Sequence, residues 1–331
     1  MLNEMKNKKI VIAGGSGFIG EELIRIYGKH NDICILTRQL PNAVNNRNHY
    51  RSLTPEDLLR VNFEQWDGRT TGSWTAQLDG ADLLINLAGK TVNCRYTPEN
   101  KAAILSSRID SVNVLAKALS LCKRPPSCWI NASSATIYRH ATDHAQDEYN
   151  GEFQDDFSTH VCKAWEKTFY HHQTPFTRKI ALRMAIVIGS GGVLVPYFNM
   201  IKFGLGGPQG NGKQRYSWIH IEDTAAMITW LFTHEQLEGT FNCSSPFPVT
   251  NKIFMQTLRK VTGCRLGFPV YEWMLKLGAV IVGTETELVL KSRWVLPTRI
   301  SETGFRFRYP FLEDALEELI KKIPRKQYRL F

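Results

Sequence analysis

The 331-residue sequence predicts an α/β fold, a doubly wound parallel sheet with a smaller C-terminal lobe, and three observations carry that expectation. Short apolar runs alternate with helical periodicity from residue 10 to residue 188. Helices between strands mean crossovers, and successive crossovers build a parallel sheet covered on both faces. The first apolar run ends in a glycine-rich turn that opens a helix. After Gly189 the alternation lapses, and Gly204, Gly206, Gly207, Gly210 and Gly212 crowd one stretch. The expected partition is a sheet domain over 1–189 and about 218–245, with a lobe formed by 190–217 and 246–331.

Ile10-Val11-Ile12-Ala13 is apolar throughout, as a strand buried on both faces must be. Residues 21–27 place Leu23, Ile24 and Tyr27 on one helical face. Residues 33–36 and 61–66 supply the second and third strands, and 81–87 a fourth that ends in Ala88-Gly89. Over 98–122, Ile104, Ile109, Val112, Leu115, Ala116 and Leu119 recur at helical spacing before Pro125-Pro126 ends the connection. A fifth strand at 129–132, a helix at 155–171 and a sixth strand at 180–188 complete the pattern.

Hydrophobic content of 43% and charged content of 22% exclude disordered, collagenous and coiled-coil classes. The net charge of +10 is spread along the chain, and its densest cluster, Lys321, Lys322, Arg325, Lys326 and Arg329, reads as a solvated helix end. That distribution suits a phosphorylated, anionic small molecule rather than nucleic acid. Seven cysteines without a CxxC pair read as reduced thiols of a cytoplasmic protein. His140, His144, His171 and His172 lack clustered cysteines or acids, so no metal is expected. The apolar run behind Lys6, Lys8 and Lys9 is too short for a signal segment, and 277–282 falls far below the roughly 20 residues of a membrane span. A cytoplasmic monomer or homodimer with a small-molecule partner is the expectation.

The turn Gly14-Gly15-Ser16-Gly17-Phe18-Ile19-Gly20 follows a strand and opens a helix, the context in which such glycines bind a dinucleotide in a Rossmann-type sheet. The backbone must touch a diphosphate, and helix N-terminal amides hold its charge. At the end of the second strand a carboxylate would select NAD; here stand Thr37 and Arg38. A guanidinium can hold a 2′-phosphate bidentately, so Arg38 predicts NADP(H), the alternative being an ordinary surface arginine. Trp66-Asp67 is placed to meet the adenine, and Leu87-Ala88-Gly89 to pass beside the nicotinamide ribose.

These residues, with Ser133-Ser134-Ala135-Thr136-Ile137-Tyr138 and Trp218-Ile219-His220-Ile221-Glu222-Asp223, resemble the extended short-chain dehydrogenase/reductases that include sugar epimerases and dehydratases. Trp165-Glu166, Gly206-Gly207-Pro208-Gln209-Gly210-Asn211-Gly212, Ser217-Trp218-Ile219-His220 and Gly304-Phe305-Arg306-Phe307-Arg308-Tyr309-Pro310 narrow the resemblance. Over nearly the full length the chain is similar to the atypical, SDR39U1-like or YfcH-like epimerase-family proteins with a DUF1731-like C-terminal segment. The resemblance implies an NADP-binding domain, with Ser133 at the cofactor and Ser134 at the catalytic hydroxyl position.

It also implies a Tyr-x-x-x-Lys pair, in which tyrosine moves the proton and lysine lowers its pKa. Aligning on Glu166 puts Ser158 and Cys162 at those two places, and a register starting at Cys162 puts Glu166 at the second, so neither gives the pair. Three readings stand. A substitute acid acts, with Tyr138 first, His160 and Lys163 behind it, and the Cys162 thiol able to titrate beside a cation. Or the reaction needs little proton transfer. Or the protein is a non-catalytic NADP(H)-binding regulator or sensor. On the substrate side, Arg183 in a buried strand must be paired or face a ligand. Gln214, Trp218 and His220 follow the glycine-rich stretch as lid or substrate contacts, with His220 and Asp223 alternatively capping a helix. Asn242 and Arg293 are further lobe contacts. The expected chemistry is oxidoreduction or epimerisation of a small anionic or sugar-like substrate.

Overall fold

A computed structural model describes residues 5–41, 50, 53–283 and 285–329. The chain opens with β1 (Lys9–Ala13), α1 (Phe18–Tyr27), β2 (Asp32–Thr37), β3 (Val61–Gln65), β4 (Leu83–Asn86) and α2 (Pro98–Leu119). Then come β5 (Cys128–Ser134), α3 (Phe157–His171), β6 (Arg178–Met184), β7 (Ile186–Ile188), α4 (Leu194–Lys202) and β8 (Arg215–Tyr216). β9 (Trp218–His220), α5 (Ile221–Thr233), β10 (Gly239–Cys243), β11 (Val249–Thr250) and α6 (Asn251–Thr262) follow. The last helices are α7 (Glu272–Val282), α8 (Glu287–Leu290), α9 (Thr298–Glu302) and α10 (Leu312–Lys322).

Seven strands form one parallel sheet in the order β10-β6-β5-β4-β1-β2-β3. The direction of winding reverses between β1 and β4, and ligand crevices open at such a switch, outside the carboxyl ends of the strands. Both faces are buried. Ile10, Ile12, Ile33 and Ile35 pack with Leu23 and Tyr27 of α1 and Met227 of α5 on one side. Val11, Cys34, Leu36 and Leu84 pack with Val112 and Leu115 of α2 and Phe169 of α3 on the other. Alternate side chains point to opposite faces, so a strand covered on both must be apolar at every position.

The expected strand at 180–188 is two strands. The Ala185 amide donates to Cys243 O and the next amide, Ile186, to Ser217 O, so the chain changes partners between these residues. β6 stays in the sheet, whereas β7 leaves it to pair with β9. A continuous apolar run does not reveal such a switch, because both halves are buried. β10, which the sequence reading did not single out, pairs with β6, and α5 joins the β1-side core. The lobe gathers its own core from Phe198, Tyr216, Trp218, Phe254, Leu258 and Leu316. No described helix is long and apolar enough to cross a membrane. Among the described residues no group of three or more His, Cys, Asp or Glu could hold a metal, and the seven cysteines are free thiols.

Candidate functional site

The turn between β1 and α1 is shaped by what it lacks. Gly14 has φ +76°, and a Cβ there would stand 2.7 Å from the Ala88 amide nitrogen. A Cβ on Gly20 would stand 2.3 Å from Gly15 O, so α1 begins directly on the turn. Gly17 is the N-cap of α1, no side chain caps the helix, and the nearest atom to a Cβ there is 3.9 Å away. The turn is therefore closed toward the protein and open outward, with first-turn amides left for water or an anion. A diphosphate fits this cradle. Ser16 is half-buried at its rim, and Ile19 packs on the sheet core. Phe18 holds the turn against the lobe entry, since a Cβ on Gly189 or Gly192 would lie 2.5 or 2.8 Å from its ring.

At the end of β2 the Thr37 hydroxyl donates to Gln39 O at 3.0 Å, which bends the chain and leaves Arg38 exposed. Arg38 lines a cavity of about 540 Å³ with Trp66, Asp67, Thr70 and Trp74. Its guanidinium forms no ion pair among the described residues. Trp66 forms one wall, edge-on to Trp74 at 5.5 Å. Asp67 is present, but its carboxylate caps its own turn, accepting from the Thr70 and Arg69 amides at 2.7 and 2.8 Å and from the Thr70 hydroxyl at 2.7 Å. These bonds pull it down to about 2.

Beside the turn, the Leu87 amide donates to Ala13 O, and Ala88 donates to Asn86 Oδ1. Asn86 is fixed in turn by Asn131 Oδ1 at 2.7 Å. Gly89 lies under Arg108, whose guanidinium carbon would be 3.2 Å from a Cβ there. Next to this loop a cavity of about 110 Å³ is lined by Tyr96, Arg108, Ser134, Thr136, Ser158 and Cys162, among others. Ser134 Oγ accepts from the Thr136 amide at 3.2 Å and the Thr136 hydroxyl at 2.8 Å. With both lone pairs taken, its own proton is free to donate into the cavity. Cys162 Sγ is 3.4 Å from Thr136 Oγ1, whose proton is already given to Ser134, so the thiol donates. Burial pushes that thiol above its ordinary pKa despite Arg108 and Arg293 nearby, and it stays neutral. The expected titrating thiol is thus a fixed donor.

Tyr138 is not brought to this cavity. Its hydroxyl donates to Asn242 Oδ1 at 3.0 Å and accepts from Arg183 Nη1 at 2.8 Å, and it is 1% exposed. Arg183 grips Glu166 bidentately, at 2.8 and 2.7 Å, and Ser133 Oγ donates to the same carboxylate at 2.6 Å. Of the two alternatives for Arg183, pairing is the one realised, and Tyr138 has no proton left for a substrate. His160 and Lys163 are exposed on α3. The lid contacts also fold away from the cavity. The Gln214 amide donates to Gln209 O at 3.0 Å, and Trp218 Nε1 to Phe247 O from within the lobe core. His220 Nδ1 accepts from the Glu222 amide at 3.1 Å, capping α5, while Nε2 faces Glu318. Asp223 accepts from the Arg308 and Tyr309 amides, fastening a distant segment rather than its own helix.

Tyr96, Arg108 and Thr136 were missed. Arg108 left a readable trace: it falls four residues after Ile104 and four before Val112, a cation on the buried stripe of α2. Tyr96 lies in an irregular connection where no periodicity speaks.

Residues 10–244 match the NAD dependent epimerase/dehydratase family, and residues 271–319 match DUF1731, a domain of unknown function. The chain is 31% identical over 312 residues to the epimerase family protein YfhF of Bacillus subtilis, covering 94% of this chain and 97% of that one. It is 30% identical over 319 residues to the epimerase family protein SAR0825 of Staphylococcus aureus, covering 95% and 100%. Among solved structures it resembles human epimerase family protein SDR39U1, crystallised with NADPH, at TM-score 0.79 and 25% identity over 95% of this chain and 99% of that one. Bordetella bronchiseptica WbmG in complex with NAD shares the fold at TM-score 0.74 and 15% identity, over 97% and 95%. With the cradle and these full-length likenesses together, the chain belongs to the NAD dependent epimerase/dehydratase family.

Proposed function

We propose that this protein is an NADP(H)-dependent oxidoreductase or epimerase-like enzyme acting on a small anionic or sugar-like molecule. The observation that carries the reading is Ser134, which lines a cavity beside the Ala88-Gly89 loop of the dinucleotide cradle and whose oxygen already accepts two hydrogen bonds, leaving its proton to donate. Arg38 favours the phosphorylated dinucleotide, and the NADPH in the human relative supports that choice. When bound, the cofactor supplies or accepts a hydride. The turn amides hold the diphosphate, Arg38 the 2′-phosphate, and Ser134 donates to the substrate oxygen where negative charge develops. Arg108 sets a positive charge in the same cavity, where Nη1 is held by Lys90 O and Ile104 O.

NADPH consumption across a panel of small 2-oxo acids and ketoses tests this. Ser134→Ala is expected to lower turnover roughly 100-fold with NADPH affinity unchanged, the usual loss of one oxyanion donor. Tight NADPH binding with no turnover of any panel member in wild type would instead favour the non-catalytic sensor.

A further inference from the structure

We propose that Tyr96 is the proton donor and acceptor of this site, placed in the Ser134 cavity and charge-balanced by Arg108 and Arg293. This rests on the oxidoreductase reading. Adding hydride to a carbonyl carbon requires an acid at the oxygen. The cavity offers few. The Thr136 proton is given to Ser134 and that of Cys162 to Thr136, while an aliphatic hydroxyl such as Ser134 can hydrogen-bond but not ionise near neutrality. Tyr96 is the remaining group with a transferable proton.

Its placement is specific. Tyr96 comes from the connection between β4 and α2, its ring edge-on to Phe157 at the start of α3 at 5.1 Å, and it lines the same cavity as Ser134 and Ser158. Its backbone amide donates to Glu285 Oε1 at 2.9 Å, so the C-terminal segment clamps the connection. A phenol reaching across to α3 thus shares a cavity with Ser158, the serine that alignment on Glu166 puts where the family resemblance expects a tyrosine of α3 itself.

The charges around it suit a proton store. Burial is the largest influence and keeps the phenol protonated; Glu287 and Cys94 act in the same direction, and Arg293 acts against them. Arg108 also feels the Tyr96 charge. Arg293 has Nε and Nη2 buried without a hydrogen-bond partner, and its paired acid, Glu287 Oε1, stands 3.9 Å away, at the same distance from Lys291 Nζ. That guanidinium is poised to balance a transient phenolate. In the reducing direction, hydride bonds to the carbonyl carbon, the C=O pair moves to oxygen, and the Tyr96 O–H bond breaks as its proton goes to that oxygen. The products are the alcohol and the oxidised dinucleotide, and the phenolate regains a proton from water.

The test needs no substrate. The affinities of NADP+ and NADPH are measured from about pH 6.5 to about pH 10, a window that spans perturbed tyrosines. The cationic nicotinamide of NADP+ favours the phenolate, so its binding releases a proton and tightens by up to about tenfold per pH unit above the Tyr96 pKa in the complex. NADPH, without that charge, should show no such rise. Tyr96→Phe, which keeps the ring packing, should flatten the NADP+ curve and leave NADPH affinity unchanged. A wild-type NADP+ curve without a bend, or a bend that persists in Tyr96→Phe, overturns the assignment of Tyr96 alone. Failure to bind either nucleotide at any pH overturns the cofactor reading beneath it.

Discussion

Arg183→Met is expected to destabilise the protein by about 3–5 kcal/mol, the usual consequence of removing one partner from a buried ion pair. Arg183 donates twice to Glu166 and once to Tyr138, and both charged side chains are about 90% buried, at 10% and 11% exposure. With methionine in place, the carboxylate keeps only the Ser133 hydroxyl, at 2.6 Å. Urea unfolding measures the loss. Arg183→Met combined with Glu166→Leu should recover much of it, since an apolar pair of similar volume replaces a buried ion pair at little cost. A single variant within about 1 kcal/mol of wild type would show the pair to be solvated, and Arg183 would return as a substrate contact.

Gly14→Val is expected to remove most dinucleotide binding while leaving the sheet folded. A β-branched residue at φ +76° carries roughly 1–3 kcal/mol of backbone strain. Its Cβ would also stand 2.7 Å from Ala88 N, so either the turn or the β4 loop must shift, and both flank the cofactor. An NADPH affinity loss of about 100-fold, near 2.8 kcal/mol, is the expected result of titration. An affinity within about threefold of wild type would place the diphosphate elsewhere.

The legible parts of this molecule were those set by local rules. The apolar strand, glycine turn and helix start between Lys9 and Tyr27 were read from residue order because each has one conformational demand. The site was less legible because it depends on which distant groups meet. Tyr138, four residues after Ser134, looked suited to a proton role, but a tight turn at Ala135–Ile137 carries it to Asn242 and Arg183. Tyr96 reaches α3 across more than sixty positions of chain, with no spacing to announce it. Trp218 and His220 read as lid contacts from their glycine-rich neighbourhood, yet the lobe core and Glu318 claim them. Arg183 could be narrowed to a pair or a ligand, and only Glu166 on α3 decides between them.

Titrating NADPH and NADH against wild type and Arg38→Ala addresses the dinucleotide reading most directly. Charge-assisted bonds from one guanidinium are worth about 1.5–3 kcal/mol, so wild type should hold NADPH roughly 10- to 100-fold tighter than NADH, and Arg38→Ala should erase most of that preference. Equal affinities of the two nucleotides for wild type would contradict it.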